Sequence, residues 1–141
     1  MKIVVDVNVV LSSLLGKGDS LKVFEFNSIF NKFDFIAPEF LMEELNKHKK
    51  AFSERTKLPE EEFDEIFEFV LEQITFVSKS EFSEHFSKAK EILSEHLKDV
   101  QYLALALKLN CSIFSGDKIL KSLLSKTPIE VLSPKEILSK F

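Results

Sequence analysis

The chain opens on an apolar run, Ile3-Val4-Val5, that stops at an acid, Asp6, and resumes as Val7-Asn8-Val9-Val10-Leu11. Three consecutive β-branched residues suit a strand buried on both faces, as in a parallel sheet, rather than one that alternates between core and water. An ionised carboxylate at the end of such a strand costs several kcal/mol unless a counter-charge, a proton or solvent at a cleft compensates it. A metal ion is one such counter-charge. In open α/β sheets, ligands bind outside the carboxyl ends of the strands, and Asp6 stands at that end of the first one.

The 141 residues make one domain, 1–141, large enough for a single core built on fifteen Phe in the absence of Trp. Three Gly and four Pro leave little room for flexible linkers. A net charge of −4 argues against coating nucleic acid through a general positive field, yet it leaves room for a local basic strip. Arg55 is the sole Arg, so phosphate contacts would be Lys point charges and not bidentate forks. Cys111 stands alone, which excludes an internal disulfide and a thiolate metal cluster. No apolar run reaches the roughly 18 residues of a membrane span, and a cytoplasmic protein is expected.

Strands alternate with helical patterns along the chain. After Asp6, residues Val9, Val10, Ser13 and Leu14 share a helical face, and Gly16-Lys17-Gly18 is a stop. A second helix starts after Asp19 or Ser20 with Leu21, Phe24, Ile29 and Phe30 among its apolar positions, and Phe33 to Ala37 follows as a strand. Pro38 suits the first turn of a helix through about His48. Pro59 opens a helix with Phe63, Ile66, Phe67, Val70 and Ile74 at helical spacing, and Thr75-Phe76-Val77 is a short third strand. Ser80 then N-caps a helix running toward His96, and Lys98 to Leu107 forms another. The chain closes with a strand over Cys111–Phe114, a helix after Asp117 containing Ile119, a strand over Ile129–Leu132, and a helix introduced by Ser133-Pro134. Such alternation implies a three-layer α/β/α fold with a mainly parallel central sheet.

Four acids stand out against that scaffold. On the helix after Pro38, Phe40, Leu41 and Leu45 set the inward stripe; Glu44 projects within its arc, and Glu43 falls outside it. The plain role for Glu44 is a rim position paired with Lys47 or Lys49. Asp99 stands in the first turn of its helix, where a negative charge is favourable by itself. Asp117 follows a strand and has the place of an N-cap. The run Glu60-Glu61-Glu62 is adjacent rather than stacked on one face, and reads as capping and solubility. His48, His85 and His96 have no close helical pair of the zinc-site kind and are read as surface or packing residues, although His48, one turn after Glu44, can approach the cleft.

Asp6 and Asp117 each follow a strand, while Glu44 and Asp99 ride on helices beside them, so all four can meet at one edge. Carboxylates gathered without equal cations repel, and a hard divalent ion such as Mg²⁺ or Mn²⁺ resolves the repulsion. Such a site activates water for in-line attack on a phosphodiester and offsets charge on the phosphate. Asn8 and Ser115 are placed to hydrogen-bond these acids or the phosphate, although a helix N-terminal role also explains Asn8. Lys17, Lys47, Lys49, Lys50 and Lys118 are candidate contacts to an RNA backbone.

The pieces Val5-Asp6-Val7-Asn8, Ala37-Pro38-Glu39-Phe40-Leu41-Met42-Glu43-Glu44-Leu45, Asp99-Val100-Gln101-Tyr102-Leu103-Ala104-Leu105-Ala106-Leu107 and Ser115-Gly116-Asp117-Lys118, in that order, resemble the PIN-domain family of metal-dependent ribonucleases. That family includes VapC-type toxins and RNA-processing nucleases. The resemblance implies a Mg²⁺ or Mn²⁺ site on Asp6, Glu44, Asp99 and Asp117 with Asn8 and Ser115 in support. It also implies an RNA substrate, frequent homodimerisation and, for a toxin, an antitoxin partner. Val7 stands where the family commonly has Thr or Ser, and Ile119 where many members have another acid. Two other phosphate chemistries fit less well: a receiver domain generally carries paired acids before its strand-end Asp and a Lys on a late strand, and a haloacid dehalogenase needs an acid at the position of Asn8. A non-catalytic RNA-binding or protein-interaction module on the same fold is the remaining alternative.

Overall fold

Ile3, Val4 and Val5 are each 0% exposed, and the strand they form, β1 (Lys2–Val5), is the middle strand of a five-stranded sheet. The computed structural model describes residues 1–141. The other strands are β2 (Asp34–Pro38), β3 (Ile74–Val77), β4 (Ser112–Phe114) and β5 (Val131–Leu132), in the order β3-β2-β1-β4-β5. Every pairing is parallel, as the uninterrupted apolar run of β1 implies. The helices are α1 (Val7–Ser13), α2 (Asp19–Phe30), α3 (Phe40–Arg55), α4 (Glu60–Glu72), α5 (Phe86–Leu93), α6 (Val100–Leu109), α7 (Lys118–Leu123) and α8 (Pro134–Leu138). None is long and apolar enough to cross a membrane.

Register builds the layers. Ile3 lies opposite Phe35 and Val5 opposite Phe114, so these side chains share one face of the sheet. Phe24 of α2 packs there, with ring centroids 5.0 Å from Phe35 and 6.1 Å from Phe114, and α8 packs beside α2. Val4, Ile36 and Ile113 alternate to the other face, and α6 lies across β1, β2 and β4. Because β1 to β2 and β3 to β4 step in opposite directions along the sheet, right-handed crossovers put their helices on opposite faces. α6 buries Val100, Tyr102, Leu103, Ala104, Leu105 and Ala106, which takes in nearly its whole circumference.

Several elements depart from the spacing-based expectations. Pro38 ends β2, paired with Val77, instead of opening a helix; β1 reaches only as far as Ile36, so the missing N–H of Pro38 costs no ladder bond to that neighbour. The helix begins at Phe40 and runs on to Arg55. Ile74 keeps a helical interval to Val70 yet begins β3, where it pairs with Phe35. The helix expected from Ser80 to His96 is broken into one-turn 3₁₀ segments, Lys79–Glu81 and Ser83–His85, ahead of α5. Phe82, fully buried between those turns, is the cause, since its φ of −132° takes the chain out of helical geometry to reach the core. Ile29 and Phe30 are 74% and 64% exposed on the outer side of α2, and Ile119 is 61% exposed on α7. The glycine stop holds: Gly16 has φ 77°, and a Cβ there would lie 2.6 Å from Leu58 Cδ1.

The strand order locates a crevice. The chain steps outward from β1 to β2 and β3, then returns to the other side of β1 for β4 and β5. The carboxyl ends of β1 and β4 therefore flank the topological switch point, where sheets of this kind bind ligands.

Candidate active site

Asp6 follows β1 directly and Ser115 follows β4 directly, so the two meet across that crevice. Asp6 is 1% exposed. Its Oδ1 accepts the Val9 N–H at 3.0 Å, which caps α1, and its Oδ2 accepts the Ser115 hydroxyl. Ser115 Oγ in turn accepts the Asp117 N–H at 3.1 Å. Burial pushes the Asp6 carboxyl up to about 6 against the pull of these two hydrogen bonds, and the negative charges of Asp99 and Asp117 push the same way.

Asp99 ends a 3₁₀ turn, Leu97–Asp99, that leads into α6, and it is 5% exposed. Burial raises its pKa, opposed by His96 and Lys98 and reinforced by Asp117. Its Oδ2 lies 2.9 Å from His96 Nε2, an ion-pair contact that lowers the Asp99 pKa, yet the two buried atoms lack hydrogen-bond alignment. Asp117 does two things at once. Oδ1 caps α7 by accepting the N–H groups of Ile119 at 2.9 Å and Leu120 at 3.2 Å, and Oδ2 faces Lys98 Nζ at 3.6 Å and His96 Nε2 at 3.7 Å. Burial raises the Asp117 pKa, but those N–H groups, Lys98 and His96 outweigh it, and the net shift is downward.

Glu44 is half-buried on α3 while Glu43 is exposed, the phase set by Leu41 and Leu45. The Tyr102 hydroxyl of α6 donates to Glu44 Oε1. Burial raises the Glu44 pKa, Tyr102 lowers it, and Asp99 raises it further. Glu44, Asp99, Asn8, His48 and Lys98 share an open cavity of about 340 Å³. Asn8, exposed at the start of α1, also borders a second cavity with Gly116 and Asp117.

The four expected acids thus occupy one neighbourhood but not one shell. His96, Asp99 and Asp117 bring donor atoms within 4.8 Å of one another, with Asp6 behind them and Glu44 across the cavity. Lys17, Lys47 and Lys118 are exposed, and Lys47 lies near enough to lower the Glu44 pKa. Spacing missed His96 and Lys98. The signal for the first was its i,i+3 interval to Asp99, which becomes a contact only because one turn joins them. A buried carboxylate oxygen on Asp99 with no aligned hydrogen bond, beside an Asp6 whose ionisation burial opposes, fits a hard divalent cation. Asp99 and Asp117, with Asp6 and Glu44 adjacent, are the acids that would hold it.

A parallel α/β sheet with acids gathered at its switch point defines the class. The PIN domain family model matches residues 4–130, a span that includes all four acids, and the chain belongs to the PIN-domain family. Its fold is similar to that of a chain in the crystal structure of VapBC2 from Rickettsia felis bound to a DNA fragment from their promoter. The TM-score is 0.67 over 94% of this chain and 98% of that chain, with 9% sequence identity. No curated protein matches the chain.

Proposed function

We propose that this PIN domain is a Mg²⁺- or Mn²⁺-dependent endoribonuclease that hydrolyses RNA phosphodiester bonds, and that it acts in the cytoplasm as the toxin of a toxin–antitoxin pair. The observation that carries the proposal is the buried Asp99 oxygen left without an aligned hydrogen bond among Asp6 and Asp117 at the switch point. A divalent ion supplies activation of water and charge stabilisation at the scissile phosphate. The chain's own residues do the rest. Ser115 and Val9 fix the orientation of Asp6, and Asp117 is held by the amino end of α7. Tyr102 anchors Glu44 by Oε1, leaving Oε2 to take a proton at the cavity wall. Lys98, 3.6 Å from Asp117 Oδ2, and Lys47, whose charge lowers the Glu44 pKa, are the first choices for RNA phosphates, with the exposed Lys17 and Lys118 as further candidates.

The VapBC2 neighbour is a complex on promoter DNA, and an antitoxin protein and a homodimer belong to the same proposal for this chain. The outward Ile29 and Phe30 of α2 supply apolar surface for a protein partner. Light scattering of the purified chain reads the dimer; co-purification with the product of an adjacent short gene reads the antitoxin. The enzymatic claim is tested by incubating the chain with a panel of labelled single-stranded RNAs in manganese, magnesium or chelator. Cleavage that needs metal and is lost in Asp6→Asn supports it. Cleavage that persists in both chelator and Asp6→Asn refutes it, and binding without cleavage of any RNA assigns the chain to the non-catalytic module.

A further inference from the structure

His96 belongs to none of the acidic motifs, yet its imidazole is built into the same centre. Its place is set by a tight corner: Ser94, which caps α5, has a positive φ of 54°, the His96 N–H donates to Leu93 O at 2.9 Å, and the next three residues form the turn that ends in Asp99. The side chain is 21% exposed, and Nε2 itself is buried. Nε2 stands 2.9 Å from Asp99 Oδ2 and 3.7 Å from Asp117 Oδ2. An ordinary His–Asp pair would turn the ring N–H onto the oxygen, and at 2.9 Å nothing in the distance prevents it. Here the two atoms are close and buried, but the ring N–H is not aligned on the oxygen, and what joins them is a charge contact that lowers the Asp99 pKa. Atoms that converge on a common point, instead of on each other, have this arrangement. Metal–ligand bonds of about 2.0–2.2 Å at ordinary coordination angles separate neighbouring donor atoms by about 3–3.6 Å, and the two observed distances bracket that range.

We propose that His96 Nε2 is a ligand of the centre, alongside Asp99 and Asp117, and that its nitrogen turns the site toward Mn²⁺ and other first-row transition ions over Mg²⁺. This rests on the metal-dependent reading above and deepens it. Mg²⁺ is a small oxygen-seeking ion that keeps its waters, whereas imidazole adds affinity for transition ions, in a series that rises from Mn²⁺ to Co²⁺. One nitrogen and two carboxylates leave further positions open for solvent and a phosphate oxygen. Lys98, 3.6 Å from Asp117 Oδ2, is the competing cation and sits at the exposed rim.

The test is pulsed electron paramagnetic resonance of the whole chain loaded with Mn²⁺, which reports nitrogen bound to manganese without reference to activity, together with calorimetric titration of Mn²⁺ and Mg²⁺. The wild type should show an imidazole nitrogen coupling that shifts on ¹⁵N-histidine labelling. His96→Gln should lose the coupling and about tenfold in Mn²⁺ affinity while Mg²⁺ affinity moves less than about threefold. If His96→Gln fails to fold, a coupling that persists in His48→Gln supports the assignment to His96, and one that vanishes there overturns it. Manganese bound with no histidine coupling overturns the His96 assignment and leaves the carboxylate site standing. A folded wild type that binds neither ion overturns both.

Discussion

Two buried polar side chains at opposite ends of the same sheet have opposite surroundings. Asn27, 5% exposed beside the amino end of β2, is fully used: Nδ2 donates to Phe33 O at 3.0 Å, and Oδ1 accepts the N–H groups of Lys32 at 3.0 Å and Phe33 at 2.8 Å. Asp99, equally buried near the carboxyl ends, keeps an oxygen with no aligned hydrogen bond, faced by His96. The first is a neutral amide that ties a helix end to a strand. The second is a charge the fold does not need, placed where burial opposes it. A buried polar group whose bonds close within the chain belongs to the architecture; one whose bonds remain open is the better guide to a ligand.

That contrast breaks first if Asn27 is dispensable. Asn27→Ala leaves two N–H groups and a carbonyl without their partner and should cost roughly 2–4 kcal/mol of stability, with no change in the stabilisation gained from manganese; chemical denaturation with and without metal measures both. Asp6→Asn should do the reverse in chelator. The folded Asp6 carboxyl titrates near 6 against an ordinary 3.8, so the folded state holds the extra proton between those values. Its contribution to stability is present below pH 4 and lost as pH rises through 6. The variant should therefore gain on wild type across that window, by on the order of 2 kcal/mol, and parallel stability curves from pH 4 to 7 would remove Asp6 from the crowded set. The smallest effect separates neighbours on α3. Glu44→Gln should reduce the manganese-induced rise in Tm and slow RNA cleavage, while Glu43→Gln, exposed and without a side-chain partner, should match wild type in both. Equal loss from the two would contradict the cavity wall described here.

Much of this was legible in residues taken in order. Ile3-Val4-Val5 gave away a central parallel strand because burial on both faces leaves no alternation to imitate anything else. Glu44 was separable from Glu43 because Leu41 and Leu45, both 0% exposed, fix the helix phase. Asp117 carried two compatible signals, a cap and a site acid, and its two oxygens divide them. What escaped was set by tertiary packing. Pro38 looks like a helix start until a neighbouring strand claims it. Phe82 breaks an otherwise good helical period because the core takes its ring. Tyr102 holds Glu44 across 58 residues of sequence, a distance no local pattern spans. His96 has no histidine at close helical spacing to mark it, because the groups that face it are two aspartates, one of them twenty-one residues away.

The central claim is that Asp99 is placed for a cation and not for the fold, and thermal melts of wild type and Asp99→Asn, each in chelator and in manganese at one pH, address it directly. Without metal, the substitution removes a charge that burial, with Asp117 in addition, opposes more than His96 and Lys98 favour it, so the variant should be as stable as wild type or more stable. With metal the order should reverse. An ion that binds only the folded chain adds about 2.7 kcal/mol at a hundredfold excess over Kd, and Asp99→Asn should forfeit most of that gain. An Asp99 that serves only the amino end of α6 would instead lose a few tenths of a kcal/mol in chelator. A variant that is less stable in chelator and gains the full manganese shift of wild type would contradict the claim.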